Sequence, residues 1–137
     1  MPSIPVLRCA SGVRFETIAP GGFRILAALD GATKALGRDL TITAGTDHHD
    51  AGRHVAGEAY DVRTKDLLSA QTLRLFDYLK ATLGDRFTVL FEAPEKPDSP
   101  ALAAITYLNP QASGPHIHIQ TRKGTTYPPP DAPGLNA

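Results

Sequence analysis

The sequence predicts an α+β domain, with a mainly antiparallel sheet and helices packed on one of its faces. One observation is the order of periodic segments, which reads α-β-β-α-β-β-β along the chain. A second is length: 137 residues build one domain with a core and are too few for two comfortable ones. The third is alternation, because two of the strand segments carry polar and apolar residues in strict turn.

After an irregular start, Ile25, Ala28, Leu29, Ala32 and Leu36 form an apolar stripe and predict a helix from about Phe23 to Leu36, stopped by Gly37. LTIT (40–43) is β-branched and predicts a strand, followed by a loop, AGTDHHDAGR. EAYDVRT (58–64) predicts a second strand, with Ala59, Asp61 and Arg63 on one face and Tyr60 and Val62 on the other. Ser69 caps a predicted second helix with Leu73, Phe76, Leu79 and Leu83 facing inward, and Gly84 ends it. FTVLFEA (87–93), AAITYLN (103–109) and HIHIQTR (116–122) predict three more strands, the last two joined by a turn at PQASGP. The domain therefore spans 1–124, and the proline-rich tail 125–137 is expected to be disordered.

Composition excludes several classes of function. Fourteen basic residues balance fourteen acidic ones, so no net field recommends a nucleic acid or an anionic membrane as partner. No apolar run approaches the ~20 residues of a membrane span. A lone cysteine, Cys9, excludes an internally stapled scaffold and reads as a small buried hydrophobe. The N-terminus, MPSIPVLRCASGVRF, lacks the pattern of a signal peptide, and the expected location is cytoplasmic or phage-released.

The five histidines fall in two short clusters, HHDAGRHVAGEAYD (48–61) and GPHIHIQ (114–120). Period two places His116, His118 and Gln120 on one face of their strand and anchors Ile117 and Ile119 in the core. Asp61 shares its strand with the apolar Tyr60 and Val62, and a part-buried carboxylate needs a partner, either a cation such as a metal or an arginine such as Arg53 or Arg63. Zinc takes imidazole nitrogens and carboxylate oxygens, and a catalytic zinc keeps three protein ligands and one open position. His54, Asp61 and one of His116 or His118 make such a set. Taken alone, Asp61 also fits a strand ion pair, and His116 and His118 a solvated strand face.

HVAGEAYDV resembles the H-x-x-G-x-A-x-D motif shared by the D-Ala-D-Ala carboxypeptidases and the Hedgehog signalling domain, and GPHIHIQ resembles the H-x-H strand of the same group. The resemblance spans about residues 20–122 and implies the Hedgehog/DD-peptidase-like fold, with Zn2+ held by His54, Asp61 and His118. It implies that His116 stands behind the ligands or faces the substrate, that Glu92 is the general base, and that His49 lies near the site. By this resemblance the chain is a zinc metallopeptidase acting on peptidoglycan peptides, as a carboxypeptidase or an endopeptidase beside a D-amino acid. Glu92 would pass a proton from water to the leaving amine, while His116 or His49 stabilises the oxyanion.

Departures from the pattern keep a second class of function in view. The arginine that many of these peptidases carry after the first strand is missing from AGTDHH, and Pro115 stands where the bacterial dipeptidases have an acid. Pro115 leaves Glu92 as the only candidate base, while the missing arginine and the Hedgehog-like GTDHH favour a non-hydrolytic, zinc-bound binding module of the Hedgehog kind. The segment 93–115 is an unusually long insertion, expected to form a hairpin beside the cleft.

Overall fold

The computed structural model describes residues 4–46, 54 and 56–122. In chain order the elements are β1 (Leu7–Cys9), α1 (Pro20–Leu36), β2 (Leu40–Ala44), β3 (Ala59–Arg63), α2 (Ser69–Leu83), β4 (Phe87–Ala93), α3 (Pro100–Ile105), β5 (Thr106–Leu108) and β6 (His116–Thr121), with a 3₁₀ turn at Gly84–Arg86. The architecture is α+β, with one six-stranded sheet in the order β1-β2-β3-β6-β4-β5. The sheet is mixed. Its inner pairings, β2–β3, β3–β6 and β6–β4, are antiparallel, whereas β1 joins β2 and β5 joins β4 in parallel.

Alternation builds both faces of the sheet. Tyr60, Val62, Ile117 and Ile119 are fully buried against the helices, as are Ile42 and Phe91 almost completely. Burying a side chain of this size stabilises by roughly 1.5–3 kcal/mol, so the two isoleucines alone pin the register of β6. α1 supplies Ile25, Ala28, Leu29 and Ala32 to the same core, and Gly37 ends it in the left-handed conformation, φ 69°. Leu36, expected on that stripe, packs at the margin of the core. α1 begins at Pro20 rather than Phe23, because proline at the first helical position loses no hydrogen bond there.

Several local expectations are corrected. Ser69 is the first residue of α2, not its cap; Leu68 takes the cap position and donates its N–H to Gln71 Oε1 at 2.9 Å. Thr72 and Leu75 are buried on α2, while Leu73 and Leu83 lie at the core margin. Cys9 is exposed, since β1 is a three-residue edge strand with little packed over it.

The predicted strand 103–109 shrinks to Thr106–Leu108, and residues 100–105 are helical. Ser99 Oγ accepts the Leu102 N–H at 3.3 Å and Pro100 holds the first position, so the local signal is a helix start. The insertion 93–115 is consequently a β–α–β crossover onto the sheet edge, not a hairpin. The tail 125–137, with His48, His49 and Arg53, lies outside the described residues.

Candidate metal centre

The sheet face opposite the helices carries two rows of chemistry-bearing side chains. In register across β3, β6 and β4 lie Asp61, His118 and Leu90. The next row crosses four strands as Arg63, His116, Glu92 and Tyr107. Each strand delivers its residue by the period of two, so the pattern visible in the sequence becomes a surface once β6 sits between β3 and β4.

His54 reaches the first row from the connection between β2 and β3 and is itself buried, 8% exposed. Its Nδ1–H donates to the Gly45 carbonyl at 3.0 Å, which leaves Nε2 as a lone-pair donor 3.6 Å from Asp61 Oδ1. His118 is oriented in the opposite sense. Its Nε2–H donates to Gln120 Oε1 at 2.8 Å, and its Nδ1 lies 2.8 Å from Asp61 Oδ1. One ligand atom from each of His54, Asp61 and His118 falls within 4.8 Å of the others, close enough to hold a single metal ion.

The donor set fits such an ion on its own chemistry. Imidazoles that bind a metal are held by a second hydrogen bond at the other ring nitrogen, and both histidines have one. Both neighbours of the His118 ring, Asp61 and Gln120, offer oxygen atoms at 2.8 Å, so a proton on Nδ1 would stand where a cation between Nδ1 and Asp61 would stand. The protonation energetics agree. Burial opposes a charge on Asp61, but the hydrogen bond and charge of His118, with His54 and His116 nearby, outweigh it and hold the carboxyl below its ordinary pKa. Burial likewise opposes a charge on His118, and the Asp61 and Gln120 bonds overcome it and raise the imidazole. Asp61 therefore finds its partners in histidines rather than in Arg63.

His116 stands beside this group. Its Nδ1–H donates to the Gly114 carbonyl at 3.1 Å, and its Nε2 lies 4.0 Å from Asp61 Oδ1 and 3.3 Å from Glu92 Oε2. Asn109 Nδ2 donates to the same Glu92 oxygen at 3.4 Å. Glu92 is thus linked to the cluster through His116, at the edge of the candidate metal group. His49 is not among the described residues.

Gln120 and Asn109 hydrogen-bond to candidate site residues, contacts that sequence reasoning did not assign. The H-x-H-x-Q alternation already put Gln120 on the correct face, and only its bond to His118 was hidden. Asn109 gave no local signal. It reaches Glu92 because β5 pairs with β4 and the Asn109 N–H closes on the Ala93 carbonyl at 2.9 Å.

Gly57 is the conformational hinge that delivers His54. It adopts φ +72°, its N–H donates to the His54 carbonyl, and its own carbonyl accepts from the Ala19 N–H and the Tyr60 hydroxyl. A Cβ there would collide with the Thr17 carbonyl. Gly57→Ala is expected to lower stability by at least ~1–2 kcal/mol from the left-handed backbone alone, and more from the collision. Denaturant midpoints compared with wild type check this, and a metal titration of the folded fraction tells whether His54 has moved.

Among the described residues, no helix is long and apolar enough to cross a membrane. Comparison with protein-family models, curated proteins and solved structures finds no match to this chain.

Proposed function

We propose that the chain is a metal-binding hydrolase of the peptidase class, and more particularly a zinc peptidase of the Hedgehog/DD-peptidase kind acting on peptidoglycan peptides beside a D-amino acid. The observation that carries this reading is the convergence of His54, Asp61 and His118, with both imidazoles held at their far nitrogens and the Glu92–His116 pair alongside. The resemblance of HVAGEAYDV and GPHIHIQ to the motifs of that family supplies the substrate class.

Zinc bound by these three residues supplies Lewis acidity, which lowers the pKa of water towards ~7 and polarises a carbonyl. The chain's own residues do the rest. Glu92 accepts a proton on its carboxylate and returns it to the departing amine, a role that contributes about 10²- to 10⁴-fold in rate. His116, anchored through Nδ1 to Gly114, presents Nε2 both to Glu92 and towards Asp61, so it holds Glu92 in place and stabilises developing negative charge. Gln120 and the Gly45 carbonyl hold the outer nitrogens of the two imidazoles, so that a bound metal would meet the inner ones once the Nδ1 proton of His118 is lost.

A second reading, a zinc-bound module that binds without hydrolysis, is favoured by one observation. The carboxylate oxygen of Glu92 is already engaged by both His116 and Asn109. Incubating the zinc-loaded protein with D-Ala-terminated peptides and muropeptides separates the two. Hydrolysis that a chelator stops and added zinc restores supports the peptidase; stoichiometric zinc with no product supports the binding module.

A further inference from the structure

Beside His116 lies a cavity of about 310 Å³ whose walls include Thr43, Arg63, Lys65, Ser113 and Gly114. It adjoins the metal group, because His116, one of its lining residues, approaches Asp61 and pairs in register with Arg63. Arg63 ends β3 two residues after Asp61, and Lys65 follows at the same interval. No carboxylate among the described residues lines the cavity. Among the described residues neither the Arg63 nor the Lys65 side chain makes a hydrogen bond or an ion pair. Arg63 is partly buried, and a guanidinium is a strong recognition element for a planar anion.

We propose that Arg63, assisted by Lys65, binds the C-terminal carboxylate of a peptide whose last peptide bond lies over the His54–Asp61–His118 group, so that the protein trims chain ends rather than cutting within them. The substrate class in this proposal rests on the peptidase reading above. The guanidinium presents a fixed fork of donors that matches a carboxylate in two parallel bonds, and Lys65 adds charge at the mouth. Beyond the metal group the peptide continues across β6 and β4 towards the edge strand β5, with Glu92 and Tyr107, 58% accessible, beside it. Scissile-bond position is thereby set by the spacing between one anchored charge and the metal group.

The test uses the full, zinc-loaded chain with acetyl-D-alanyl-D-alanine and its C-terminal amide, measuring calorimetric binding and hydrolysis for wild type, Arg63→Gln and Arg63→Lys. Wild type is expected to prefer the acid over the amide by about 10- to 100-fold, the range of a charge-assisted hydrogen bond. Arg63→Gln is expected to remove that preference through weaker binding and higher KM, with zinc content and melting temperature unchanged, and Arg63→Lys to recover part of it. Acid-selective binding that Arg63→Gln abolishes, without any hydrolysis, leaves the subsite standing and removes the peptidase reading. Hydrolysis with no discrimination between acid and amide does the reverse. Equal binding of both probes, binding of neither, or an acid preference that survives Arg63→Gln overturns the subsite.

Discussion

Purified protein is expected to carry zinc in a one-to-one ratio, and His54→Ala to carry none. The expectation follows from geometry: His54 is one of the three donors of the group, and it is buried. Losing a group behind a metal ligand costs ~10- to 100-fold in affinity, and losing the ligand itself costs more. Elemental analysis of both proteins reads the effect directly. Thermal unfolding adds an independent readout, because an ion that binds only the folded chain stabilises it by about 2.7 kcal/mol at a free concentration 100 times Kd. Wild type should therefore gain melting temperature with added zinc while His54→Ala does not. Zinc content unaffected by the substitution would remove the hydrolase and the binding-module readings together.

Glu92→Gln is expected to lower turnover by about 10²- to 10⁴-fold and to leave zinc content unchanged. Glutamine keeps the shape of the side chain, and its carbonyl oxygen still accepts from Asn109, so packing at the β4–β5 edge is preserved. What it cannot do is take a proton and give it back. The comparison is clean because Glu92 is not one of the three metal-approaching donors. Turnover measured on D-Ala-terminated peptides, alongside elemental analysis of the same samples, decides the point. Activity retained at wild-type level would take the role of base away from Glu92.

Much of the candidate site was legible in the chain, and the reason is local. A strand places alternate side chains on opposite faces, so HIHIQ had to present His116, His118 and Gln120 together once its isoleucines were buried. AYDVR had to send Asp61 and Arg63 away from Tyr60 and Val62 for the same reason. Helix α1 was readable because its stripe of Ile25, Ala28, Leu29 and Ala32 matches the helical period. Where reading failed, a local signal was outweighed or ambiguous. The Ser99–Pro100 start of α3 was masked by the β-branched residues that follow it, and β1 is too short and too exposed to show any alternation.

The tertiary structure alone decided the order of strands. The last strand among the described residues, β6, inserts between β3 and β4, which joins His118 to Asp61 across 57 residues and His116 to Glu92. The pairing of β5 with β4 likewise brought Asn109 to Glu92 and set Tyr107 at the end of the row that begins with Arg63. Faces follow from the pleat of a single strand and can be read residue by residue. Neighbours follow from which arrangement of whole strands buries the most apolar surface against α1 and α2, a sum over contacts distant in sequence that no short stretch encodes.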